Sequence, residues 1–159
     1  MKVIGIDPGT TQIGYGIVEK GGNNYKHIES GLLEIKSKKV GERLLEIEKD
    51  LNSILKKTKP EKAGVEEIFF YKNKKTAIKV AQARGVIIKS IIEEDIPLFE
   101  ISPSEAKASV TGNGKASKEA VSKMVSHFLD IETKNFQKDI TDALAIAITA
   151  ATKQNFTKK

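Results

Sequence analysis

Lys2-Val3-Ile4-Gly5-Ile6-Asp7-Pro8-Gly9-Thr10-Thr11-Gln12-Ile13-Gly14-Tyr15-Gly16-Ile17-Val18-Glu19 opens the chain and decides how it folds. Lys2 to Ile6 is a short apolar run that ends on Asp7, and Pro8-Gly9 stops it. It reads as a buried strand followed by a tight turn. From Gln12 to Glu19 the pattern alternates, with Ile13, Tyr15 and Ile17 on one face, as a strand's two-residue period requires. After the Gly21-Gly22-Asn23-Asn24 turn, Tyr25 to Ile35 predicts a third strand. Three strands joined by short turns form an antiparallel meander.

The period then changes. Val40, Leu44, Ile47, Leu51 and Ile54 recur at three and four residues, which predicts an amphipathic helix ending before Pro60. Ala63 to Val65 is a short buried strand with Glu66 at its end. A second helix is expected from about Asn73 to Glu94, and another strand from Pro97 to Ile101. Ser102-Pro103-Ser104-Glu105 is a capping box with proline at the first helical position. Val121, Met124, Val125, Phe128 and Leu129 mark a fourth helix, and Asp139 to Ala151 a fifth. A hairpin followed by α/β crossovers implies an α/β fold: a mixed five-stranded sheet flanked by about five helices. With 159 residues the chain is long enough for one domain with a real core but not for two domains. Residues 1–151 are therefore expected to form a single domain, with 152–159 a short polar tail.

Apolar residues make up 39% and charged residues 30%, the balance of a globular protein rather than a disordered one. The chain lacks cysteine, which excludes disulfides, thiolate metal sites and thiol nucleophiles. The longest apolar stretch, Ala143 to Ala151, is too short to span a bilayer, and no basic leader opens the sequence. The expectation is a cytoplasmic protein with no membrane partner. A net charge of +6 favours a polyanion such as nucleic acid, although a lysine-rich surface also serves solubility alone.

Four acids stand out. Asp7 and Glu66 each follow a buried strand, and sites in open α/β sheets gather at such ends. Asp139 and Asp142 are three residues apart at a helix start and share a face. A hard cation such as Mg2+ takes oxygen ligands from a few carboxylates. Two such ions roughly 3.5–4 Å apart activate a water and stabilise the leaving oxygen in phosphodiester hydrolysis. The competing reading is structural: acids favour the first turn of a helix, and Asp139 suits an N-cap. Asp7 resists that reading, because beside Pro8-Gly9 it would be partly desolvated without a cation. Glu67 alternates to the opposite face and is expected in solvent.

Phe69, Phe70 and Tyr71 follow directly, then Lys72, Lys74 and Lys75. Three consecutive aromatics cannot all face one side of an extended segment. Stacking on an unpaired base, with lysines on the flanking phosphates, competes with a hydrophobic lid or a dimer contact. A second basic set, Lys107, Lys115, Lys118 and Lys123, surrounds the Thr111-Gly112-Asn113-Gly114 loop, and Lys118 lies at a helix start that favours anions. His27 and His127 lack a partner at ligand spacing. The second helix has two apolar stripes, Ile78-Ala81-Gly85-Ile88-Ile92 and Val80-Ala83-Ile87-Ile91. One covers the sheet, and the other needs a neighbouring helix or a two-fold partner.

Taken together, Gly5-Ile6-Asp7-Pro8-Gly9 with Gly14-Tyr15-Gly16 resembles the opening of the RuvC family of bacterial Holliday-junction resolvases. Val65-Glu66-Glu67-Ile68-Phe69-Phe70 resembles the family's second acidic motif and Ala81-Gln82-Ala83-Arg84-Gly85 its central helix. Asp139-Ile140-Thr141-Asp142-Ala143-Leu144-Ala145-Ile146-Ala147 resembles its last. The resemblance runs from about Val3 to Ala151. It implies a ribonuclease H-like fold and a homodimer that resolves four-way DNA junctions by paired, metal-dependent cuts in strands of like polarity. It further implies that Asp7, Glu66, Asp139 and Asp142 hold two Mg2+ ions, with Mn2+ able to substitute, and that branch-migration proteins are partners. Lys107 and Lys118 become catalytic residues near the scissile phosphate. Phe69 becomes the residue that stacks on junction bases, with Phe70, Tyr71, Lys72, Lys74, Lys75 and Lys115 on the DNA beside it.

Other readings compete. Asp7-x-Gly9-Thr10-Thr11 looks like the first phosphate loop of sugar-kinase and actin-like ATPases, but those need two such domains, and no second phosphate loop appears. A catalytically dead junction-binding module would lack one of the acids, and all are present. An RNA-processing relative remains separable only by substrate comparison.

Overall fold

Alternation along the first strand sets the two faces of the sheet. The computed structural model describes residues 1–68 and 73–154. Its strands are β1 (Lys2–Asp7), β2 (Gln12–Gly21), β3 (Asn24–Glu34), β4 (Lys62–Glu66) and β5 (Leu98–Ile101). Its helices are α1 (Val40–Thr58), α2 (Lys74–Glu93), α3 (Pro103–Thr111), α4 (Lys118–Leu129) and α5 (Lys138–Thr152). The strands form one five-stranded sheet in the order β3-β2-β1-β4-β5. The β1–β2 and β2–β3 pairs are antiparallel, whereas β1–β4 and β4–β5 are parallel. The expected mixed sheet and the order of elements are therefore observed.

On β1, Ile4 and Ile6 join Ile13 and Ile17 of β2 and Ala63 and Val65 of β4 in one core. Ile47, Leu51 and Leu55 of α1 and Ala83, Ile87 and Ile91 of α2 cover them. The residues in between point the other way. Val3 and Val18 enter a second core with Val121, Val125 and Leu129 of α4 and Leu144, Ala147 and Ile148 of α5. By the same alternation Gly5, Asp7, Gly64 and Glu66 belong to the α5 face.

α5 lies directly on that face, and glycines let it. A Cβ on Gly5 would stand 2.1 Å from the backbone oxygen of Ala143, and one on Gly14 2.1 Å from that of Asp139. No side chain fits either gap, so the backbones of helix and sheet meet. The stretch Ala143 to Ala151, read from sequence as apolar but too short for a membrane, is buried throughout. No helix among the described residues is long and apolar enough to cross a membrane.

Two helix starts differ from expectation. Gln137 occupies the N-cap of α5, so Asp139 is no cap but sits in the first turn. The capping box at Ser102 is half made. Ser102 Oγ accepts from the Glu105 backbone N–H at 3.2 Å, but the Glu105 carboxylate turns away to pair with Lys153. That lysine follows α5, so a tertiary ion pair displaces the local hydrogen bond to the Ser102 backbone.

Candidate active site

Asp7 ends β1 and Glu66 ends β4, and these two strands are parallel neighbours whose pairing runs to Ile6 and Val65. Both carboxylates therefore leave the sheet at the same edge and on the same face. Gly14 pairs with Asp7 across β1 and β2 and lets α5 settle against it. That contact delivers Asp139 and Asp142, in the first turns of α5, to the same place.

Crowding is measurable in the electrostatics. Asp7 is 9% exposed. Burial, followed by the charge of Glu66 and a hydrogen bond to it, raises Asp7 from 3.8 to about 9, with Asp142 and Asp139 adding to the rise. Asp7 is therefore protonated and donates to the Glu66 carboxylate. Glu66 is also raised, first by burial and then by Asp142 and Asp139, against the hydrogen bond from Asp7 and the charge of Lys138. A cluster of desolvated acids that must hold a proton to coexist is one that a cation would relieve. The donors are all carboxylate oxygens, the set that suits a hard divalent ion. Among the described residues no three acidic or histidine side chains close around a single ion position. Their carboxylates have nearer partners: Asp7 is hydrogen-bonded to Glu66, and Asp142 is paired with Lys138.

Lys138 was missed in the sequence, although it lies four residues before Asp142. Its Nζ is 3.1 Å from Asp142 Oδ2. Burial opposes its charge, but Asp142, Asp7 and Asp139 outweigh burial and hold the ammonium above its usual value. Lys138 is thus the cluster's counter-charge in the metal-free fold.

Lys107 and Lys118 come from α3 and α4 to line a cavity of about 260 Å³ with Glu66, Lys138 and Asp142. A larger groove, about 510 Å³, runs on from Asp142 and Lys138 past Lys118, Lys123 and Lys134. Lys123 belonged to the expected basic set, whereas Lys134 had no sequence signal. Lys74, Lys75 and Lys115 are exposed and do not line the 260 Å³ cavity. Lys75 lies in the first turn of α2, where its backbone N–H donates to Asn73 Oδ1. Phe69, Phe70, Tyr71 and Lys72 lie outside the described residues. Glu67, expected in solvent, is only half-exposed, because it flanks Glu66 in the wall of a third cavity of about 210 Å³. His27 pairs with Ser30 Oγ at 2.9 Å and has no part in the cluster.

On α2 the stripe Ala83-Ile87-Ile91 is buried against the sheet. The other stays open: Ile78 is 59% and Ile92 54% exposed, Ala81 and Gly85 are exposed, and Ile88 is half-buried. No neighbouring helix covers that stripe among the described residues.

Residues 3–150 match the family profile described as crossover junction endodeoxyribonuclease RuvC. The protein of that name from Aliarcobacter butzleri is 45% identical over 95% of this chain and 98% of its own. Its counterpart from Thermosipho melanesiensis is 41% identical over 98% of this chain and 100% of its own. Among solved structures, Thermus thermophilus RuvC in complex with a Holliday junction substrate superposes with a TM-score of 0.88 at 33% identity. That match covers 95% of this chain and 93% of the other. The yeast mitochondrial Holliday junction resolvase shares the fold, with a TM-score of 0.71 at 14% identity over 92% of this chain and 76% of its own.

Proposed function

This chain belongs to the RuvC family of crossover junction endodeoxyribonucleases, and from that premise we propose how its carboxylate cluster resolves a four-way DNA junction. The enzyme is a metal-dependent nuclease that binds Holliday junctions and hydrolyses their phosphodiesters. The observation that carries the site assignment is the meeting of Asp7 and Glu66, at two adjacent strand ends, with the first turns of α5.

Asp7, Glu66, Asp139 and Asp142 would hold two Mg2+ ions, with Mn2+ as a substitute. When bound, the ions supply an activated water and a Lewis acid for the leaving oxygen. The protein's own groups do the rest. Asp7 would take part as a carboxylate, its proton passing to solvent water. Lys138, paired with Asp142, borders the groove as a nearby positive charge. Lys107 and Lys118 meet the charge that builds on the scissile phosphate from the wall of the same cavity. Lys115, Lys74 and Lys75, exposed and off that cavity, would hold DNA backbone phosphates. Phe69 would stack on junction bases, the role the family resemblance favours for it, with Phe70, Tyr71 and Lys72 on the DNA beside it.

Residues 1–151 act as one nuclease domain. Two copies pair through the open stripe of α2, giving two sites for paired cuts in strands of like polarity. Family membership further suggests work in the cytoplasm beside branch-migration proteins.

A synthetic four-way junction tests the reading. Cleavage is expected with Mg2+ and not with EDTA, while binding persists in EDTA because lysines and shape provide the grip. Single-turnover rates at saturating protein should fall for Lys107→Ala and Lys118→Ala and not for Lys38→Ala, which does not line the cavity. Equal, normal rates for all three would remove both lysines from catalysis.

A further inference from the structure

Arg84 sits on the buried side of α2 and reaches across to the sheet. Its Nε donates to the backbone oxygen of Glu66 at 3.0 Å, and its terminal nitrogen pairs with Glu100 on β5. The side chain is 16% exposed, so the charge is largely out of water and is held by these two acceptors. The Glu66 carbonyl needs such a donor. Pairing of β1 with β4 ends at Ile6 and Val65, and Pro8 has no N–H with which to extend it. On the other side the backbone N–H of Glu67 donates to the Ile101 oxygen at 2.9 Å, a bond that leaves the preceding carbonyl free. The last peptide of β4, which sets the direction of the Glu66 carboxylate, is therefore fastened from α2 by a charge-assisted bond.

We propose that Arg84 is a positioning residue for Glu66, holding the end of β4 in register with β1 so that the carboxylate meets Asp7 and α5. It touches no reacting atom. A lysine cannot replace it, because one ammonium on a flexible stem does not present two fixed donors to two acceptors on different strands. The same helix carries the open stripe Ile78-Ala81-Gly85-Ile88-Ile92, so the fastening joins the proposed dimer surface to the proposed metal site. The inference rests on the reading of Glu66 as a metal-holding carboxylate.

Four variants of the full chain test it: Arg84→Lys, Arg84→Gln, Glu100→Gln and Glu66→Gln. Mn2+ affinity of the free protein is measured by electron paramagnetic resonance, junction affinity in EDTA by gel shift, and folding by thermal melting. Single-turnover cleavage is followed against Mn2+ concentration. Arg84→Lys and Arg84→Gln should weaken Mn2+ binding by about 10–100-fold, the usual cost of losing a partner behind a metal ligand. High Mn2+ should restore much of the rate, and junction affinity in EDTA should not change. Glu100→Gln leaves the bond to Glu66 intact and should stay within a few-fold of the parent. Parental Mn2+ affinity in both Arg84 variants overturns the proposal. So does a defect in Glu100→Gln as large as theirs, since the ion pair would then be what matters. Glu66→Gln separates the two levels. If it binds Mn2+ and cuts as the parent does, the reading of Glu66 itself falls. If it is inert while the Arg84 variants behave normally, only the role of Arg84 falls.

Discussion

Asp7 shows how one buried acid links folding to chemistry. Unfolded, its carboxyl releases a proton at the usual 3.8; folded and metal-free, it keeps that proton to about 9. Between these values the native state binds more protons than the unfolded chain. Stability of the metal-free protein is therefore greatest at the acid end of this window and declines as pH rises through it. Asp7→Asn removes that slope. In EDTA the variant should melt above the parent at pH 8, by a margin that shrinks steadily as pH falls toward 4, as scanning calorimetry would show. Cleavage should fall by at least about 100-fold, with junction binding in EDTA retained. A variant that melts below the parent at pH 8, or cuts at its rate, would contradict the crowding described for this site.

Elements were more legible than contacts. The period-2 run of β2, the three-four spacing of α1 and the Pro-Gly stop after Asp7 are local signals, and each gave an element close to the observed one. Asp7, Glu66 and Lys118 were legible as candidates because strand ends and helix starts are local too, whereas Lys107, inside α3, was singled out only by the family resemblance. What sequence reading could not supply was the partner across space. Nothing adjacent to Ser102 announces that Glu105 will prefer Lys153, and only proximity in the fold gives Arg84 its partners, whereas the pair of Lys138 with Asp142, four residues apart on one helix, was open to sequence reading. The glycines of the sheet were visible as letters but not as a bed for α5. That bed yields a test at the scale of the element. Gly5→Ala would drive a methyl into the backbone of α5, where the gap is 2.1 Å. Overpacking of this kind costs about 1–3 kcal/mol, and here neither side can yield without moving Asp139 and Asp142. The variant should lower the melting temperature and slow cleavage together. Normal cleavage in a destabilised variant would mean that the site does not depend on the seating of α5.

At the scale of the whole molecule, the open stripe of α2 is the feature a single chain leaves unexplained. Ile78→Asp is the suitable probe, because Ile78 is 59% exposed and its replacement should leave the monomer folded. In an interface the same carboxylate would be buried without a partner. Sedimentation should show a monomer, and a folded variant that remains dimeric would place the contact elsewhere. The other end of the molecule has its own consequence. α5 is anchored at its carboxyl terminus by Lys20 Nζ on the Ala151 oxygen at 3.4 Å, by Lys62 on the Lys153 oxygen, and by the pair of Lys153 with Glu105. Its 15 residues span about 22 Å, seated on the sheet at Gly5 and Gly14 and clamped at this end, with two carboxylates at the other. A tilt of one degree about the clamp displaces that tip by about 0.4 Å over such a length, most of the roughly 0.5 Å tolerance that a catalytic constellation allows. Alignment of the carboxylates therefore depends on the seating of the whole helix, from the contact at Gly14 beside Asp139 to the ties of Lys20 and Lys62 at the opposite pole.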